Sequence, residues 1–394
     1  MSPAKEPPFV VGKPVTGVYF IDRESELERL LTPIRGLPKS SSSNSILIGL
    51  RRTGKSSILE NAIIQLGDNK KIIPVVLSCY GLSSKSRFAK LLADATVGAY
   101  VQKTGDKAYW KRLVKAISEK KKEALERMSE VSFWELAFTF NNKKIEEDTL
   151  MEQALQFIES LAEDKECYFV LMLDEFQDAV KWGEKTLKRI RTIIQSQKRV
   201  CYVLAGSATS IMHDLVYQRR SPFYRQFIEI PVKKLDSNLV ERFMKERFAS
   251  AGITTNDQEL NKIATYCDGF PDYAQRMGLE IFFKIGLDGK ISEQIIDKAY
   301  HDMIQTLDGE FENYFTTFSP LEKEILISLA IGKKRAHEIA KEVRNEMQNI
   351  SKTLTRLVNY GVVDKPLVGQ YRLADGVFSD WLKRRFSTPL EYYM

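Results

Sequence analysis

One octapeptide constrains this chain more than any other feature of its 394 residues. Gly49-Leu50-Arg51-Arg52-Thr53-Gly54-Lys55-Ser56 matches the pattern G-x-x-x-x-G-K-[ST]. An apolar run, 45-SILIGL-50, enters it, and a helical stretch beginning near Lys55 leaves it. Glycine lets the backbone curl so that its N–H groups converge on phosphate oxygens. The helix N-terminus adds the positive end of a dipole. Lys55 has the reach for β- and γ-phosphates, and the Ser56 hydroxyl suits Mg²⁺. Gly49, Arg51, Arg52, Thr53, Gly54, Lys55, Ser56 and Ser57 are therefore candidate nucleotide contacts.

A second signal follows about 120 residues later, in Leu171-Met172-Leu173-Asp174-Glu175. A carboxylate at the end of a buried strand is costly without a partner. A magnesium ion beside the phosphate loop would be such a partner, so Asp174 reads as the metal-side carboxylate. Glu175 reads as the base that polarises an attacking water. Strand 72-IIPVVLSC-79 falls between the two motifs, which suits the branch of P-loop NTPases with an added strand and a glutamate after the aspartate.

Around these motifs the chain alternates apolar runs with amphipathic stretches. Strands are expected at 45–50, 72–79, 167–173, 200–206 and 227–232. Helices are expected at 20–34 (with Asp22 as cap), after Lys55, at 84–127, 147–163 and 183–197. Such alternation predicts an α/β fold with a parallel sheet covered by helices. From about 235 to 318 the pattern is helical throughout. From 319 it becomes three short helices and a two-strand hairpin. The expected domains are 1–234, 235–318 and 319–394.

Composition excludes a disordered or fibrous chain, with 43% hydrophobic and 28% charged residues. The net charge of +7 permits contact with nucleic acid without demanding it. The surplus gathers in 102–127, where Tyr109 and Trp110 are interleaved, and in 319–394. An exposed amphipathic helix is the preferred reading of 102–127. Cys79, Cys167, Cys201 and Cys267 lack metal-ligand spacing and read as buried thiols. No apolar run is long enough to span a bilayer, and no signal core opens the chain, so a cytoplasmic protein without membrane contact is expected.

Two further candidates carry less pattern. Ser207 follows strand 200–206 and can either face a γ-phosphate or cap the next helix. Arg219, Arg220 and Arg225 stand before the strand at 227–232, where an arginine could stabilise charge on the phosphate.

In order along the chain, the segments 8-PFVVGKPVTGVYF-20, 20-FIDRESELERL-30, 49-GLRRTGKS-56, 171-LMLDEFQD-178, 204-LAGSATSIM-212, 222-PFYRQF-227, 268-DGFPDYAQ-275 and 371-YRLADGVFSDWLKRRF-386 resemble the archaeal ATPase family. This family sits near the STAND signalling NTPases and the origin-recognition initiators within the AAA+ group. The resemblance implies ATP rather than GTP as ligand. It implies that the segment containing Arg23 packs near the adenine, and that Gly269-Phe270-Pro271 belongs to a helical lid. It singles out Arg225 as the arginine before the fifth strand, acting within its own subunit or, in a homo-oligomer, on a neighbour. It makes the C-terminal module a winged helix. The family's usual glycine before its arginine is Asp22 here, and its second glycine before the proline is Phe270.

The C-terminal module has its own physics. Ile350, Leu354, Leu357 and Val358 form one face of its third helix, and Gln348, Lys352, Thr355 and Arg356 the other. Amides, hydroxyls and two cations suit groove and phosphate contacts, so Gln348, Lys352 and Arg356 are candidate contacts to double-stranded DNA. The sequence thus predicts a slow, Mg²⁺-dependent ATPase that cycles between ATP and ADP and switches lid and winged helix in association with DNA. The alternatives are a signalling or assembly switch whose winged helix grips protein, and a nucleotide-binding scaffold with negligible turnover.

Overall fold

The computed structural model describes residues 7–107, 146–207, 209–285 and 290–386. They form two compact units, one of Arg23–Gly49 with Lys55–Val232, the other of Met1–Asp22, Leu50–Gly54 and Lys233–Met394.

The first unit is α/β. Its elements in chain order are α1 (Glu24–Arg35), β1 (Ser45–Ile48), α2 (Lys55–Gln65), β2 (Ile72–Ser78), α3 (Lys85–Thr104) and α4 (Glu147–Asp164), then β3 (Tyr168–Asp174), α5 (Gln177–Val180), α6 (Glu184–Ser196), β4 (Val200–Gly206), α7 (Thr209–Tyr217) and β5 (Ile228–Pro231). The strands form one sheet in the order β2-β3-β4-β1-β5, with every neighbouring pair parallel. All of β4 and the centre of β3 are buried, the condition that continuous apolar runs anticipate. One face of the sheet packs Ile46, Ile48, Leu171 and Tyr202 against Phe88, Leu155, Ile190 and Phe223. Leu27, Leu30, Leu31 and Ile34 of α1 are buried, as their helical spacing requires. Helix α3 stops at Thr104, where Gly105 takes a left-handed conformation. The basic segment from residue 108 onward, with Tyr109 and Trp110, lies outside the described residues.

The second unit is largely helical. It holds α8 (Ser237–Ser250), α9 (Asp257–Cys267), α10 (Pro271–Lys284), α11 (Glu293–Thr306) and α12 (Asp308–Thr316). There follow α13 (Pro320–Ala330), α14 (Ala336–Glu342), α15 (Met347–Asn359), the antiparallel pair β6 (Val363–Leu367) and β7 (Gln370–Leu373), and α16 (Gly376–Phe386). A single apolar cluster runs from Phe9 through Val240, Met277 and Phe311 to Leu326, Leu354 and Trp381. The N-terminal arm belongs to it. Phe9 lies edge-on to Phe243 and Phe248 and against Gly278, where a Cβ would clash with its ring. Gln275 holds the arm at two points, accepting from Val10 N (3.0 Å) and donating to Tyr19 O (2.8 Å).

Asp22 does not cap α1. The N-cap is Arg23, without a side-chain cap bond, and Asp22 instead accepts from Arg242 at 3.1 Å. Its φ of 33° explains the change, because an Asx side chain tolerates the left-handed region where the family usually has glycine. The four cysteines are buried free thiols, and burial pushes Cys167 up to about 11 and Cys79 to about 12. Among the described residues, no helix is long and apolar enough to cross a membrane.

Candidate functional site

Strand β1 ends one residue before Gly49, and α2 begins at Lys55. The turn between them needs reversed backbone handedness at two places, Arg52 (φ 67°) and Gly54 (φ 95°). Gly54 meets that need without strain, whereas Arg52 is an unusual residue there.

In the α/β unit, Lys55 is 5% exposed and its Nζ donates to Gly49 O at 2.9 Å. On the next residue, Ser56 Oγ donates to Asp174 Oδ2 at 2.6 Å. Thus the first turn of α2 and the end of β3 meet, although β4 lies between β1 and β3 in the sheet. Burial pushes the Asp174 carboxyl above the usual carboxylate range, opposed by the Ser56 hydrogen bond and raised again by neighbouring Glu175. Glu175 itself is left-handed (φ 52°), and its N–H donates back to Asp174 Oδ1 at 2.9 Å.

Glu175 is turned toward the tip of β4. Ser207 Oγ donates to its Oε2 at 3.0 Å. Gln177, the first residue of α5, donates from Nε2 to the same oxygen and to Ser207 Oγ at 3.1 Å, and its Oε1 accepts from Ser207 N at 3.2 Å. Ser56, Asp174, Glu175 and Ser207, all singled out by sequence, are therefore drawn into one bonded cluster of this unit, and Lys55 adjoins it in the chain with its Nζ on Gly49 O. Gln177 escaped the sequence reading. It lies in the segment 171–178 quoted above, and between it and Glu175 Phe176 is buried (1% exposed) and tied by its N–H to Ala205 O.

Other predicted residues of this unit are placed differently. Arg23 is 4% exposed and pairs with Glu26 at 2.9 Å. Ser57 O accepts from Asn61 Nδ2 at 2.7 Å. Arg225 is exposed, left-handed (φ 55°), with its guanidinium 5.2 Å from the ring centre of Tyr224.

The loop tip, residues 50–54, groups with the helical unit. Arg52 forms ion pairs with Asp272 of α10 and with Glu310 of α12 (2.7 Å). Its guanidinium lies 5.1 Å from the Tyr273 ring and 5.8 Å from Phe311. Burial alone would lower the Arg52 pKa, but Tyr273, Asp272 and Glu310 outweigh it and raise it. Arg51 sits over Tyr314 at 5.9 Å, and the Thr53 hydroxyl donates to Leu50 O at 2.9 Å. Pro271, the first residue of α10, lies 3.9 Å from where a Gly54 Cβ would stand. Further along, Gln348, Lys352, Thr355 and Arg356 occupy the exposed side of α15, opposite buried Ile350, Leu354 and Leu357. Arg356 is engaged with Glu322 of α13 at 2.8 Å.

Comparison with known proteins adds three findings. The fold is shared with the Walker-type ATPase PABY2304 of Pyrococcus abyssi, at 18% identity and a TM-score of 0.68, over 92% of this chain and 96% of that one. It is also shared with the Aeropyrum pernix ORC2 protein in its ADPNP-ADP complexes (15% identity, TM-score 0.59, 94% and 98%) and with the ORC1 protein of the same organism in complex with DNA (15%, 0.50, 93% and 93%). No curated protein matches the chain. Residues 20–277 match the model of an ATPase domain predominantly from Archaea, so the chain belongs to that family and is an ATPase of the P-loop kind.

Proposed function

We propose that the chain binds ATP with Mg²⁺ at the phosphate loop, hydrolyses it, and uses the nucleotide state to switch its helical elements. The observation that carries this reading is the Ser56–Asp174 contact of 2.6 Å beside Lys55. A hydroxyl and a half-buried carboxylate are hard oxygen donors, and Mg²⁺ is commonly held by one or two such groups together with substrate phosphates. Ser56 and Asp174 would hold the ion, which would offset the negative charge of the phosphates. Loop N–H groups and the start of α2 receive the phosphates, and Lys55 exchanges its Gly49 carbonyl for phosphate oxygen. Glu175 takes the proton of the attacking water, with Ser207 orienting it. Arg225 is the candidate for charge stabilisation from its own or a neighbouring subunit, and Arg23 and Pro271 lie in the segments assigned to the base. Within the helical unit we assign 235–318 to a lid and 319–394 to a winged helix, as in STAND-like switches.

Lys55→Ala tests the site directly. ATP affinity, followed with a fluorescent ATP analogue, should fall at least tenfold while the fold persists. Unaltered affinity would refute the assignment.

For the C-terminal module we propose double-stranded DNA as partner, supported by the exposed polar face of α15 and by the DNA complex of the ORC1 neighbour. A protein partner is the second reading, favoured by the tip of the β6–β7 hairpin, where Leu367 and Val368 are 63% and 97% exposed. A duplex gel shift separates them. DNA binding requires a shift that weakens steeply with salt and is lost on Lys352→Glu. A protein switch gives no shift at moderate salt.

A further inference from the structure

We infer that Gln177 is a positioning residue that holds the Glu175 carboxylate in its working orientation. The inference rests on the reading of Glu175 as the base.

Glu175 has three side-chain torsions and stands just past the end of β3, in a left-handed turn. Left to itself, such a carboxylate would sweep a wide arc. Here it is closed into a ring of three side chains. Gln177 Nε2 and Ser207 Oγ both donate to Glu175 Oε2, and Gln177 bonds Ser207 twice, through Nε2 to Oγ and through Oε1 from the backbone N–H. Both donors converge on Oε2, which leaves Oε1 as the oxygen to accept from an incoming water.

Only one amide orientation serves this ring. Turned over, Gln177 would set its carbonyl oxygen against a carboxylate and its NH₂ against the Ser207 N–H. The scaffold beneath is rigid. Phe176, between the two residues, is buried and its N–H donates to Ala205 O of β4 at 2.9 Å. Gln177 and Ser207 are thereby fixed to the ends of adjacent strands, β3 and β4, and so is the oxygen they hold. A base held in place before substrate arrives needs no reorganisation at the chemical step.

The test uses the full chain with MgATP in steady-state turnover and a fluorescent ATP analogue in equilibrium titration. Gln177→Ala should lower kcat about tenfold and leave KM and analogue affinity unchanged, since the residue acts on the base rather than on nucleotide. Gln177→Glu keeps the length but offers the carboxylate no donor, so its loss should be at least as large. In a Glu175→Gln background the Gln177→Ala change should have no further effect on the residual turnover. Wild-type kcat for Gln177→Ala, or a full tenfold loss that persists without the Glu175 carboxylate, overturns the inference, as does a parallel loss of nucleotide affinity. Wild-type turnover by Glu175→Gln alone is a separate failure and overturns the reading of the base.

Discussion

Replacing Arg52 should loosen α10 and α12, and by an amount that depends on which residue replaces it. The Arg52 side chain is 13% exposed and bonded to Asp272 and Glu310. Breaking a fully buried ion pair leaves a stranded charge and costs about 3–5 kcal/mol. That limit does not apply here. Asp272 keeps a bond from Arg276 Nε at 2.8 Å, and Glu310 is half exposed and free to rehydrate. One charge-assisted bond at about 1.5 kcal/mol and a ring contact at about 0.5–1 kcal/mol give a loss of about 2 kcal/mol for Arg52→Ala. Alanine still occupies the left-handed backbone at φ 67°. Glycine loses the same contacts but relieves about 1 kcal/mol of that strain, so Arg52→Gly should cost about half as much. Amide hydrogen exchange over 271–284 and 308–316 reads both changes. The expected opening is about thirtyfold for alanine and about fivefold for glycine. Equal exchange in the two variants would refute the strain argument, and wild-type exchange in Arg52→Ala would refute the anchoring role.

Asp174→Asn should keep nucleotide affinity in the absence of Mg²⁺ but lose the gain that Mg²⁺ brings, because an amide still accepts from Ser56 yet offers the ion no charge; titrating the metal against the fluorescent analogue checks this. A second test concerns acid stability at the start of α13. Burial alone would raise the Glu322 pKa, but hydrogen bonds from Ser319 N (2.8 Å) and Oγ (2.7 Å), with Arg356 beside it, hold it below the usual carboxylate range. A depressed carboxylate stabilises the fold above its unfolded pKa, and that stability is lost as pH falls through the folded value. Glu322→Gln should therefore cost about 1 kcal/mol at neutral pH and flatten the acid loss, as thermal melting over descending pH would record. Parallel acid loss in variant and parent would remove Glu322 as its source.

What could be read in advance follows the range of the interactions involved. Strands β3 and β4 lie within a residue of the positions expected, because burial on both faces leaves an uninterrupted apolar run. The meeting of Ser56 with Asp174 was legible because a phosphate loop is a local backbone device and an acid at the end of a buried strand demands a partner. The order of the strands was not, since parallel strands of equal hydrophobicity carry no mark of their neighbours. Nor were the partners of Arg52, with Asp272 lying 220 residues away. The expected cap at Asp22 failed because cap preference is weak against an ion pair with Arg242 and a backbone already turned left-handed.

The end of β3 also shows how two adjacent carboxylates come to have different surroundings. β3 has β2 on one side and β4 on the other, and β1 lies beyond β4, yet the end of β3 still reaches the first turn of α2 through Ser56. Asp174, still within the strand, accepts from Ser56 and is desolvated. Glu175 leaves the strand through a positive φ, which reverses its direction and delivers it to Ser207 and Gln177 on β4 and α5. A right-handed backbone at residue 175 would send its side chain elsewhere and break that ring. Glu175→Gly therefore tests less than Glu175→Gln does. Glycine removes the carboxylate and frees the turn together, whereas glutamine keeps the turn and alters only the carboxylate proposed as the base.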